Sequence, residues 1–153
     1  MPKRVVLFVC TGNVCRSPMA EHLMRDRLGK DSDWTTQSAG LSAINGLPAS
    51  GAAAQVLREW GCDMGAHRSR AATREAVDGA SLIVVMTAAQ RDETADLFPG
   101  SEEKTFVLKS FDPSGSKGDI ADPIGSSADV YRKIRDEIAD ALPGLQQFMA
   151  RLQ

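Results

Sequence analysis

Arg4-Val5-Val6-Leu7-Phe8-Val9-Cys10-Thr11-Gly12-Asn13-Val14-Cys15-Arg16-Ser17-Pro18 is the stretch that decides how this chain folds. It opens on an apolar run over residues 4–9 with no polar alternation, which suits a strand covered on both faces. Small polar residues follow. Ser17-Pro18 then reads as a helix N-cap with proline at the first helical position and Glu21 in the opening turn. A strand that passes through a short loop straight into a helix is the start of a βα unit.

Working outward, the alternation continues. Further strand-like runs lie at 81–86 and 104–108, with a weaker one at 34–38. Helical spacing is found over 18–28, 48–60, 71–77, 88–97 and 127–151, and Gly29 and Gly61 stand where the first two of these helices should stop. Strands that alternate with helices imply right-handed βαβ units and a parallel sheet, hence an α/β fold. In the last helix Val130, Ile134, Ile138 and Leu142 recur every four residues and predict one apolar face. Pro143-Gly144 is expected to kink or interrupt it. The main loops are 100–104 and 112–127, the second long enough to be functional.

Composition narrows the function. The chain has 153 residues, 42% of them hydrophobic, enough for one compact domain spanning 1–153. Its 18 basic and 20 acidic side chains leave a net charge of -2, which gives no footprint for nucleic acid or an anionic membrane. The apolar run that begins after Met1-Pro2-Lys3-Arg4 ends at Cys10, too soon for a signal peptide, and nothing approaches a membrane span. Three cysteines make a poor disulfide framework and fit a reducing cytoplasm. Cys10 and Cys15 lack a second pair to complete a zinc set, and His22 and His67 are isolated from each other, so no metal is expected.

The loop after the first strand occupies the place where open α/β sheets bind ligands. Successive N–H groups of Thr11, Gly12, Asn13, Val14, Cys15, Arg16 and Ser17, wound towards a positive helix end, suit a phosphate dianion. Gly12 and Asn13 accept the left-handed conformations that such winding needs. Arg16 can return to the mouth of the loop as a bidentate fork. The same field favours a thiolate: a cysteine at a helix N-terminus beside arginine titrates at about 3.5 to 7.5. Cys10 is therefore the candidate nucleophile, with Ser17 placed to hydrogen-bond its sulfur. Taken singly these residues are unremarked strand-end, turn and helix-start residues; together, at one strand-to-helix junction, they point to function.

The run from Val9 to Glu21 resembles the signature of the low-molecular-weight protein tyrosine phosphatases. The resemblance continues through Ser38-Ala39-Gly40, His67-Arg68-Ser69-Arg70, the strand at 80–86 and Asp119-Ile120-Ala121-Asp122-Pro123, and spans nearly the whole chain. It implies a three-layer sandwich of the phosphatase I, flavodoxin-like type, with a four-stranded parallel sheet in the order 2-1-3-4. It further implies a two-step hydrolysis without metal or cofactor, in which Cys10 attacks phosphorus, Arg16 and the loop amides hold the oxygens, and Asp122 is acid and then base. The 112–127 loop can bring Asp122 over the phosphate site; alone, Asp122-Pro123 would read as a turn. Asp119 is the reserve carboxylate. By the family pattern Asn13 organises the loop through Ser38, with Ser17 also in support. Cys15 is either a reversible disulfide partner of Cys10 or a packing residue, and Cys62 reads as an inert thiol. The partners implied are a phosphorylated protein substrate and inorganic phosphate as product and inhibitor, acting on a monomer or weak homodimer.

The chain departs from the tyrosine-specific pattern at its cleft walls. Leu41-Ser42-Ala43-Ile44 and Ile124-Gly125 stand where aromatic residues are usual, and Tyr131, the single tyrosine, falls in the last helix. A bacterial branch acting on phosphoarginine shares the Cys-Thr-Gly-Asn start and the acid loop but has threonine at the position of Val14, where tyrosine-specific relatives are aliphatic. Tyrosine phosphatase is the first reading and arginine phosphatase the alternative. An arsenate reductase would need two further cysteines in a later segment, where only Cys62 occurs. A phosphoryl carrier would have no use for a general acid.

Overall fold

The structure is a computed structural model that describes residues 3–114 and 118–152; Met1, Pro2, three residues of the 112–127 loop (115–117) and Gln153 lie outside the described residues. Four parallel strands, β1 (Arg4–Cys10), β2 (Trp34–Gly40), β3 (Leu82–Val85) and β4 (Thr105–Val107), form one sheet in the order β2-β1-β3-β4. The chain adds β2 on one side of β1 and β3 on the other. The crevice at their carboxyl ends, where Cys10 lies opposite Gly40, is thus the switch point of the sheet.

Alternation along the strands makes the three layers. Val6, Phe8, Leu82 and Val84 pack with α1 (Arg16–Leu28), α2 (Gly51–Arg58) and α5 (Ala128–Arg151). Leu7, Val9, Ile83 and Val85 face the other way, against Val77 of α3 (Arg74–Gly79) and Phe98 at the end of α4 (Ala88–Leu97). Both faces of the sheet are covered, which explains the unbroken apolar runs.

Local caps decide where the helices begin. Ser50 accepts from the Ala53 amide and Thr73 from the Ala76 amide, so α2 and α3 start at Gly51 and Arg74, each three residues later than periodicity suggests. α5 is the larger correction, since it runs through Pro143 without a break. Proline removes one helical hydrogen bond, but Ala141, Leu142, Leu145 and Met149 are buried on either side and tertiary packing keeps the helix. Gly144 is what lets α5 lie so close: a Cβ there would fall on the Phe111 carbonyl oxygen. The apolar face is also shifted by one residue at its start, because Val130 is 40% exposed and Tyr131 is buried in its place.

Candidate active site

The loop that follows β1 wraps around the sulfur of Cys10. The Asn13 amide donates to Sγ at 3.2 Å, and Ser17 Oγ is hydrogen-bonded to it at 2.9 Å. α1 begins at Arg16, with Cys15 as the flanking residue and no side-chain cap. The expected Ser17 cap is therefore incorrect. Ser17 lies inside the first turn with its hydroxyl turned to Cys10 and Asn13, and no acidic residue, Glu21 included, is in that turn. First-turn amides have no intrahelical acceptor, so an uncapped start leaves donors and the positive helix end facing the loop.

Asn13 carries the winding. Among the described residues it is the one non-glycine with positive φ, at 58°, whereas Gly12 does not take that conformation. Its Nδ2 donates to Ser17 Oγ and Ser38 Oγ, each at 2.9 Å, and its Oδ1 accepts from the Arg70 amide at 3.0 Å. Its carbonyl accepts from His67 Nε2 at 2.9 Å, and Ser38 in turn donates to Glu21 Oε1 at 2.5 Å. Gly40 closes the back of the loop, where a Cβ would stand 2.6 Å from Thr11 O and 3.0 Å from the Asn13 nitrogen. Sequence offers Glu21 as an acid of the opening helical turn, His67 as an isolated histidine and Arg70 as part of a motif string; their contacts with Asn13 and Ser38 are tertiary and have no signature in spacing.

Arg16 is buried, and its guanidinium is held from the 112–127 loop. Nη1 donates to the Ile120 carbonyl at 2.8 Å, and Nη2 lies 3.8 Å from Asp122 Oδ2. The Ile120 amide donates to Met86 O at 2.9 Å, which ties this loop to the end of β3. Asp122 is half-exposed above the site and accepts from the Ile124 amide at 3.1 Å. Asp119 instead accepts from the Ala88 amide at the start of α4, at 2.9 Å. Gln90, unnoticed in sequence, bridges the two parts: its Oε1 accepts from the Met86 amide and its Nε2 donates to Thr11 Oγ1 at 3.1 Å.

The other cysteines are buried thiols. Burial pushes Cys15 up, outweighing the hydroxyls of Tyr131, 3.5 Å from its sulfur, and Ser50, which pull it down. Burial also raises Tyr131, with Cys15 adding to it. Tyr131 is thus packed in α5, as expected, yet its hydroxyl reaches the loop. Cys62 is pushed up to about 12, first by burial and then by Asp26. The supposed isolation of His22 and His67 is corrected: their rings meet edge to face with centroids 6.0 Å apart, beside Glu21. Burial, more than any nearby charge, lowers His22.

Residues 5–153 match the model of the family described as low molecular weight phosphotyrosine protein phosphatase. The chain belongs to this family. It is 43% identical over 147 residues to the protein-arginine-phosphatase of Geobacillus stearothermophilus, with 96% of each chain covered. It is also 32% identical over 135 residues to the low molecular weight protein-tyrosine-phosphatase PtpB of Staphylococcus epidermidis, covering 88% of this chain and 91% of the relative. The crystal structure of the low molecular weight protein tyrosine phosphatase from T. tengcongensis superposes with a TM-score of 0.88 at 37% identity, covering 95% of this chain and 99% of that one. The chain is therefore a phosphatase of the low molecular weight type, with the 2-1-3-4 sheet of its relatives. No helix among the described residues is long and apolar enough to cross a membrane.

Proposed function

We propose that the chain removes phosphate from phosphotyrosine in proteins, and from small aryl phosphates, through a cysteinyl-phosphate. The observation that carries this reading is the pairing of Arg16, at the start of α1, with Asp122 of the 112–127 loop, to which it is also tied through Ile120, beside a Cys10 sulfur that the loop holds through Asn13 and Ser17. The Cys10 thiolate attacks phosphorus in line, the bond to the leaving oxygen breaks, and Asp122 gives that oxygen its proton. Loop amides and the Arg16 fork hold the equatorial oxygens as charge builds. Asp122, now a carboxylate, takes a proton from water; the hydroxide displaces the cysteine and inorganic phosphate leaves. Asp119 is occupied in holding α4, which supports Asp122 as the acid.

Phosphoarginine is the second reading. It is supported by the likeness to the Geobacillus stearothermophilus protein-arginine-phosphatase and by an aliphatic rim, with Ile44 70% and Ile124 62% exposed. Val14, lacking a hydroxyl, weighs the other way. Kinetics on matched phosphotyrosine and phosphoarginine peptides decide between them: a higher kcat/KM on the arginine peptide overturns the tyrosine reading, and Val14→Thr should move the ratio towards arginine. For the mechanism, Cys10→Ser should abolish p-nitrophenyl phosphate turnover while still binding vanadate; full activity would refute it. The three free cysteines support a reducing, cytoplasmic setting. Cys15 is the proposed partner for an oxidised Cys10: its thiol attacks the sulfenic acid, forming a disulfide and water. Peroxide inactivation should then be reversed by dithiothreitol in the parent and not in Cys15→Ser.

A further inference from the structure

We infer that Glu21, His22 and His67 form a zinc site on the back of the phosphate loop, opening into a cavity of about 250 Å³ beside β2. Glu21 Oε1 lies 3.9 Å from His67 Nδ1 and 4.0 Å from His22 Nε2, and the three donors fall within 4.8 Å of one another. A cation among them requires each donor to close in by roughly half an ångström to reach zinc–ligand bond lengths of about 2.0–2.2 Å. The side chains are 11%, 12% and 5% exposed, so they are largely desolvated, while the cavity supplies an entry path and room for water as the fourth ligand.

His67 is already oriented as a metal ligand would be. Its Nε2 donates to the Asn13 carbonyl, which fixes the ring proton there and leaves Nδ1 facing the carboxylate. Two imidazoles with one carboxylate choose zinc over magnesium, which prefers oxygen donors and water. Arg25, Arg68 and Arg70 also line the cavity and oppose a cation. Arg68 and Arg70 are drawn to acceptors outside the donor set, the His67 carbonyl at 2.7 Å and the Ser38 carbonyl at 2.9 Å, whereas Arg25 pairs with the other oxygen of the ligand itself, Glu21 Oε2, and leaves Oε1 for the cation. Binding through His22 Nε2 moves that ring's proton to Nδ1 and gives up a long 3.4 Å contact with Arg25.

The site touches the loop at two points. His67 holds the Asn13 carbonyl, and Glu21 accepts from Ser38, which itself receives the Asn13 amide. Zinc draws Glu21 Oε1 from Ser38, loosens Asn13 and slows turnover, whichever phosphoamino acid is the substrate.

Cys10→Ser protein removes the loop thiolate as a competing ligand and is the one to titrate. Zinc chloride in a calorimeter at neutral pH should show one saturable site, magnesium chloride none. His22→Ala in that background should weaken zinc by about tenfold or more, and His22→Gln should do the same should the alanine variant fail to fold. Cobalt(II) should give ligand-field bands without sulfur-to-cobalt charge transfer. With Cys10 present, His22→Ala should keep its zinc-free turnover and lose part of the zinc inhibition. No saturable binding, an affinity unchanged by both His22 substitutions, or a thiolate band with cobalt overturns the site.

Discussion

Asn13 holds the left-handed turn of the phosphate loop, and Ser38 receives one of its two amide hydrogens at 2.9 Å. The conformation that winds the loop and the bond that keeps it wound thus belong to a strand-end serine on β2 and a residue three positions after Cys10. Catalysis in such a loop depends on where donors already point, because amides that must reorganise during the reaction stabilise little.

Asn13→Ala tests that dependence. It removes one of the bonds of each of the Ser17 and Ser38 hydroxyls, which keep Cys10 and Glu21 as partners, and takes the side-chain acceptor from the part-buried Arg70 amide, at about 1–3 kcal/mol for a group left unmatched. The left-handed conformation adds about 1–2 kcal/mol without a side chain to hold it. We expect a lower thermal midpoint and a kcat reduced about 10- to 100-fold on p-nitrophenyl phosphate, in line with the cost of small misplacements of reacting groups. Ser38→Ala, which removes one of these bonds, should show the same change in smaller measure. A fully active Asn13→Ala would show that the loop keeps its shape by other means.

The two carboxylates of the acid loop separate by leaving group. Asp122→Ala should cost about 10²- to 10⁴-fold with phenyl phosphate, the range of general acid catalysis, and much less with p-nitrophenyl phosphate, whose leaving group needs little protonation. Asp119→Asn keeps an oxygen for the Ala88 amide and should alter neither rate by much. The opposite pattern would exchange their roles.

What sequence could show of this protein follows the range of the interactions concerned. Contiguous features were legible: the apolar run into Cys10, the turn residues, and the α/β alternation all lie within a few residues of each other. Helix starts were less so, since the N-cap reading gave Ser17 a local role and its hydroxyl has a tertiary one with Cys10. Pro143 was read by propensity, and packing of Leu142 and Leu145 overrode it. His67, Arg70, Gln90 and the Tyr131 hydroxyl reach the loop, and Glu21 reaches Ser38, only because tertiary packing brings them there. No period or spacing encodes that.

The buried thiols give a chemical readout of packing. Burial raises both Cys15 and Cys62, the latter to about 12, and the thiolate is the reactive form. In folded Cys10→Ser protein at pH 7.5, 5,5′-dithiobis(2-nitrobenzoate) should therefore react with neither in the first minutes, and with two thiols once guanidinium is added. Rapid labelling of Cys15 in the folded state would mean that the loop opens around it.

Acid stability should report on Glu59. Its carboxylate, after the last turn of α2, accepts from Arg132 at 2.7 Å and Arg135 at 2.8 Å, both from α5, and Arg135 also stacks on Trp60 at 3.9 Å. Hydrogen bonds to Arg132 first, then Arg135, hold Glu59 down to about 2, from its ordinary value of 4.5. A folded value below the unfolded one means that the ionised carboxylate favours the native state. Its contribution is complete above about pH 4.5 and is lost as the pH falls through that value towards 2. Thermal midpoints of the parent should decline over this window. In Glu59→Gln the midpoint should start lower at pH 7 and fall less steeply between pH 4.5 and 2, so that the two curves converge in acid. Parallel curves would place the acid-labile group elsewhere and leave the arginines of α5 held by Asp129, Asp136 and the Val56 carbonyl alone.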